Sequence, residues 1–281
     1  MASPANITHN QPPYPTQAAL QAAKQHISHT PDALKLLFWP LNADTGPALE
    51  TSGLKVMAAA GPNPKYPDPD VRVPYYDTAA GGAGVWHPIS KLPVSAPKVS
   101  ELVVQAWDVA DWARGWEDLH WEHELEDNRI SEHVARGEGI CHGCGVARPP
   151  APKGDVSIVV RGTGGVGEGQ EGVFVTVHDY VSTVHPWLVG LRGDILGAVG
   201  TASGNDDPLP VETELIVSCR LLGKLTVQKR EDWIRNARKQ RSPDDFISSL
   251  RDPSQQSGEA YLGPFGGFHP DPFMQQGRRR E

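Results

Sequence analysis

Eight prolines fall between residues 61 and 98: Pro62, Pro64, Pro67, Pro69, Pro74, Pro88, Pro93 and Pro97. Each fixes φ and removes a backbone donor, so neither a helix nor a regular ladder is expected through this stretch. The constraint reaches further. Glycine (29) and proline (26) make up about a fifth of the 281 residues, and hydrophobic residues only 38%, below the roughly 45–50% of globular domains. That supply of apolar groups suits one core of roughly 150–180 residues with unfolded ends and long loops. The expected organisation is a disordered tail over 1–31, a single domain over 32–240 and a disordered tail over 242–281. Within the domain lie the Pro/Gly-rich loop 61–98 and an inserted acidic helix with a cysteine loop, 108–154.

Order is expected first at Leu34, Leu36, Leu37, Phe38 and Trp39, an apolar cluster cut by Pro40. Residues 102–107 are short and β-branched and read as a strand. Asp108 then caps a helix whose apolar stripe is Val109, Trp112, Ala113, Trp116, Leu119 and His123, at helical spacing. The other face is acidic, with a net charge of −7 over 108–127. Val156–Val160 and Val173–Val175 read as a hairpin around a glycine-rich tip, 162–172. Thr176 and Asp179 form a variant capping box. A helix is expected from Val177 to His185, with Pro186 kinking it or opening a second one, 187–199. Strands follow at 215–217 and 221–227, and a short helix at 231–240. Strands and helices do not alternate, so the expected class is α+β: a small antiparallel or mixed sheet with helices mainly on one face.

Composition also bounds function. No apolar run approaches the ~18 residues of a membrane span, and the first ten residues lack the pattern of a secretory signal. Three cysteines do not make a disulfide scaffold and suit a reducing compartment, cytoplasm or nucleus. A formal charge of −8 argues against nucleic-acid binding by the whole surface.

The sharpest chemical signal is Cys141-x-x-Cys144-Gly145. Two thiolates three positions apart can bind one ion from a single tight turn, and the glycines at 143 and 145 permit the positive φ such a turn needs. His120 and His123 share a face of the acidic helix and complete a candidate four-ligand zinc site, with His133 and His142 as substitutes. The competing readings are two cysteines in a mobile loop, or thiol redox chemistry. The latter is disfavoured because Arg148-Pro149-Pro150 follows where a thioredoxin-like site needs a helix.

Other features point elsewhere. The loop 162–169 lacks the Lys-Ser/Thr of a phosphate-binding loop. Trp107, Trp112 and Trp116 suit a core, while Trp121 lies off the stripe. Residues 220–241 carry a net charge of +6, so the acidic and basic segments are expected to satisfy each other within the fold or between copies. No Gly-x-Ser-x-Gly occurs, and no catalytic residue is assigned. Cys219 ends an apolar strand and reads as an inert core thiol.

The run Val175-Thr176-Val177-His178-Asp179-Tyr180-Val181, followed by His185-Pro186-Trp187-Leu188 and by Glu214-Leu215-Ile216-Val217, resembles a fungal family of uncharacterised proteins. That family is a domain of unknown function with a Val-Thr-Val-x-Asp strand–helix core. The resemblance covers about 100–220. It implies a strand leading directly into a helix and no catalytic residue, and it lends the zinc site no support. The expected function is a non-catalytic interaction module with a protein partner or a second copy. The alternatives are a small domain with structural zinc, or an enzyme with an unrecognised site.

Overall fold

The computed structural model describes residues 14–29, 33–44, 46–59, 67–78, 84–125, 141, 144–163, 172–202 and 208–239, without the side chains of 29, 59, 67, 119, 121–125 and 220. The strands are β1 (Ser28–His29), β2 (Leu37–Pro40), β3 (Lys55–Ala59), β4 (Pro67–Pro74), β5 (Tyr76–Asp77), β6 (Val85–Trp86), β7 (Ser95–Ala96), β8 (Glu101–Ala106), β9 (Ser157–Arg161), β10 (Leu215–Leu221) and β11 (Lys224–Lys229). The helices are α1 (Gln17–Ala22), α2 (Trp107–Leu125), α3 (Val177–Gly190), α4 (Arg192–Ala202) and α5 (Arg230–Lys239). Seven strands form one mixed sheet in the order β4-β3-β2-β10-β11-β8-β9. Every neighbouring pair is antiparallel except β11 and β8. The class is therefore α+β, as the irregular order of elements requires.

Alternation along the strands sorts side chains to two faces. On one face Leu102, Val104, Leu215, Val217 and Leu225 join Val109 of α2, Val181, Val184 and Leu188 of α3 and Ile195 of α4 in the main core. Each such side chain contributes about 1.5–3 kcal/mol on burial. On the opposite face Phe38, Met57 and Ile216 meet Trp233 of α5 in a small second core. Three helices thus cover one face and α5 part of the other.

Three expectations are corrected. First, the proline-rich loop contains β4, an eight-residue strand paired with β3 through Val56↔Val73 and Met57↔Arg72. It lies at the edge of the sheet, where Pro67, Pro69 and Pro74 need not supply every ladder donor. Second, β9 does not form a hairpin with 173–175. Its partner is β8, in the register Val103↔Val159. Segment 173–175 is claimed by the chain before β8, with Val175 N–H donating to Val99 O at 2.8 Å and Val94 N–H to Val175 O at 3.1 Å. The strand end abuts that segment so closely that a Cβ on Gly162 would lie 2.2 Å from the Phe174 carbonyl carbon. Third, part of the expected N-terminal tail belongs to the fold. Tyr14 and Leu20 are buried, and Gln17 Oε1 accepts the Val103 N–H at 2.9 Å. Residues 1–13 and 242–281 lie outside the described residues.

The capping box forms as read: Thr176 Oγ1 accepts the Asp179 N–H at 3.1 Å and Asp179 Oδ2 accepts the Thr176 N–H at 2.9 Å. Asp179 also accepts from the Thr163 N–H and hydroxyl. Burial pushes the Asp179 carboxyl up, but these bonds outweigh it and hold it below its ordinary value. Pro186 does not open a second helix; α3 runs through it to Gly190 and α4 begins at Arg192. Across the main core, Trp39 Nε1 donates to His185 Nδ1 at 3.1 Å, and His185 Nε2 lies 3.0 Å from Gly46 O. Neutral imidazole protonated on Nε2 satisfies both contacts. Burial pulls the His185 pKa down.

Candidate metal centre

The site begins with how α2 is set onto the core. Val109, Trp112, Trp116 and His120 recur every three or four residues and turn inward. Trp112 packs against α4 where there is no side chain: a Cβ on Gly197 would lie 2.2 Å from the indole. Trp112 Nε1 donates to Thr201 Oγ1 at 3.1 Å. Ala113, expected on the stripe, is exposed, because the buried face follows Val109, Trp112 and Trp116 instead. Asp108 does not sit in the expected cap position; the helix starts one residue earlier, at Trp107. Its carboxylate instead accepts the Val227 N–H of β11 at 2.6 Å. Burial pushes the Asp108 carboxyl up to about 6, against the pull of backbone hydrogen bonds.

Anchored at that end, α2 carries His120 to a buried position with its ring 4.6 Å from that of Trp116. The cysteine turn meets it there. Gly145 N–H donates to Cys141 O at 2.7 Å, and Cys141 N–H donates to Val146 O at 2.8 Å. Gly145 adopts φ +76°, which a residue with a Cβ resists. Farther along, Arg148 pairs with Glu117 and ties the loop to the helix. Cys141 is fully buried and Cys144 is exposed; neither is in a disulfide.

His120, Cys141 and Cys144 form a group that could hold a metal ion, their ligand atoms all lying within 4.8 Å of one another. Cys144 Sγ lies 3.3 Å from His120 Nδ1. A tetrahedron with Zn–S of ~2.3 Å and Zn–N of ~2.0 Å has edges of about 3.5 Å between sulfur and nitrogen, close to that separation. Three of the four expected ligands are therefore brought together. Of the two histidines expected on one face of the helix, the structure places His120 at the sulfurs, while the side chain of His123 lies outside the described residues. So do His133 and His142. The chain after Cys144 runs as a turn and irregular coil through Pro150, without the helix that a thioredoxin-like thiol pair uses.

The remaining sequence candidates resolve as follows. Cys219 is buried beside Tyr180, and burial pushes its thiol up to about 12, which leaves it unreactive. Trp116 is buried, Trp112 packs against the core and the Trp107 ring lies 3.6 Å from Lys224 Nζ; the Trp121 side chain lies outside the described residues, as does most of the glycine-rich loop. The acidic and basic segments do not neutralise each other through ion pairs among the described residues. Those of α2 run to Arg114 and Arg148, and those of α5 to Glu214, Asp232 and Asp70. Sequence reading missed the Trp39–His185 bond, which joins residues 146 positions apart and leaves no local signal. No described helix is long and apolar enough to cross a membrane.

Comparison with protein-family models, with curated proteins and with solved structures returns no match.

Proposed function

We propose that this chain is a protein-interaction module fastened by one structural zinc ion, with His120, Cys141 and Cys144 as three ligands and His123, three residues on in α2, as the fourth. The convergence of three soft and borderline donors within 4.8 Å carries the reading. Two thiolates and imidazole are the donor set of structural zinc, and a fourth protein ligand closes the site. The ion cross-links a loop to the helix that it leaves, so its binding energy is also folding energy. Thiolate ligands suit a reducing compartment, cytoplasm or nucleus.

The interaction role rests on charge. Glu117 and Asp118 are exposed on α2, and among the described residues no ion pair joins the acidic segment to the basic one. The partner is a protein with a basic surface, or a second copy that presents its 220–241 stretch to the acidic helix. Nucleic acid does not fit a surface of this sign.

Metal analysis after purification without chelator is the test. One zinc per chain is expected, lost on Cys141→Ser. Cobalt in its place is expected to show thiolate charge-transfer absorption and to quench Trp116. Absence of bound metal together with absence of the cobalt band overturns the zinc reading. Sedimentation at low and high salt tests association separately: a monomer under both conditions overturns self-association.

A further inference from the structure

The three ligands that converge at the metal centre differ in how far solvent reaches them. His120 and Cys141 are buried, while Cys144 is exposed. Gly145 N–H donates to Cys141 O at 2.7 Å, which holds both cysteines in one turn. Their sulfurs lie within 4.8 Å of each other and are not joined by a disulfide. A disulfide bond is about 2.05 Å long, so the pair closes by a movement of about 3 Å at most. The helix that carries His120 is fixed without them, through Trp112 on Thr201 and Asp108 on the Val227 N–H. Closing the sulfur pair thus draws on the turn and leaves α2 in place.

An exposed sulfur with a buried one beside it is the arrangement that oxidises in two steps and stops there. Oxidant reaches the first sulfur and makes a sulfenic acid, and the second sulfur displaces the oxygen before further oxidation. Only thiolates ligate the metal, so a disulfide withdraws two donors at once. Cys219 does not compete, because it is buried in β10 with its thiol pushed up by that burial. The lack of a helix after Cys144 sets catalytic thiol exchange aside. It does not bear on a single oxidation of the pair, which needs access and proximity rather than turnover.

We infer that Cys144 is a site of oxidation by hydroperoxides, that Cys141 is its resolving thiol, and that their oxidation releases the metal; this rests on the zinc reading above. The Cys144 sulfur attacks the terminal oxygen of the peroxide. The O–O bond breaks, and the departing oxygen leaves with the electron pair and takes up a proton. Cys144 is then a sulfenic acid. The Cys141 sulfur attacks the Cys144 sulfur, the S–O bond breaks, and hydroxide leaves and is protonated to water. Two thiolates have given two electrons to one peroxide, two protons are consumed, and zinc departs as the unchanged dication. The cysteine turn is thereby unfastened from His120 on the acidic helix.

The test treats the full chain, purified with its zinc and then freed of reductant, with hydrogen peroxide. A metallochromic dye is expected to register one zinc released per chain, in step with a Cys141–Cys144 disulfide in peptide mass maps. Dithiothreitol with added zinc is expected to reverse both. Cys219→Ala is expected to respond as the parent does. In Cys141→Ser, which lacks the resolving sulfur, dimedone is expected to trap a sulfenic acid on Cys144, a readout that needs no bound metal. A chain that carries no zinc before treatment overturns this inference together with the zinc reading. Zinc that stays bound under peroxide, zinc lost without the Cys141–Cys144 disulfide, or Cys144 unlabelled by dimedone overturns the inference and leaves the zinc reading standing.

Discussion

His185 and His120 both lie buried on the inward face of a long helix, yet they are solved differently. His185 has both ring nitrogens matched by hard partners, the Trp39 indole on one side and the Gly46 carbonyl on the other. Nothing is left over for a ligand, and the residue serves as a strut between α3 and β2. His120 instead turns Nδ1 toward the Cys144 sulfur at 3.3 Å, with the sulfur of Cys141 in the same group. Thiols are weak hydrogen-bond partners but strong metal ligands as thiolates. Burial alone therefore does not mark a histidine as a ligand. The softness of its neighbours does.

The largest expected effect breaks the comparison at His120. On the zinc reading, Cys141→Ser, or chelation of the unmodified protein, is expected to remove the metal and the stability linked to it, about 4 kcal/mol when free metal stands a thousandfold above its Kd. Chelator is expected to lower the unfolding midpoint of the parent protein and not that of the variant. Trp39→Phe breaks the other side. It leaves His185 Nδ1 buried without its donor and opens space in a fully buried site, a loss of about 2–4 kcal/mol in denaturant unfolding, with metal content unchanged.

Acid separates the two sites by sign. The folded pKa of His185 lies below its ordinary value near 6.5, so the unfolded chain binds the proton first. This contribution is fully present above about pH 6.5 and is lost as pH falls through the folded value. Trp39→Phe is expected to shrink that loss. Asp108 acts oppositely. Its folded pKa is raised to about 6 from 3.8, so the folded state holds the proton more tightly, and stability falls as pH rises from about 4 to 6. Asp108→Asn removes that decline, at most about 3 kcal/mol, and urea midpoints measured across pH 4–7 read it directly. The smallest effect is Gly197→Ala. In an exposed helix the change stabilises by about 1 kcal/mol; here the new Cβ meets Trp112 and the sign reverses, to a loss of about 1–2 kcal/mol. Because Trp112 sets α2, zinc affinity is expected to fall with it.

Features with a local cause were legible in the residues. The capping box of Thr176 and Asp179 needs only four consecutive positions, and strands β8, β9, β10 and β11 follow runs of β-branched and aliphatic residues. The Cys141–Gly145 turn and the acidic face of α2 follow from spacing and charge. The eight-residue strand β4 was not legible, because its prolines are tolerable only at a sheet edge and no local pattern says where the edge falls. Nor was the parallel pairing of β11 with β8, or the choice of β8 over 173–175 as the partner of β9.

By itself, then, the order of residues determined which segments can be helix or strand, and that two thiols share one turn, since both depend on backbone preferences within a few positions. Tertiary packing alone decided that His120 meets those thiols, that His185 is closed off by Trp39, and that Arg72 lays its guanidinium on Phe38. Each of these turns on close approach between segments distant along the chain, and shape and burial set such approach.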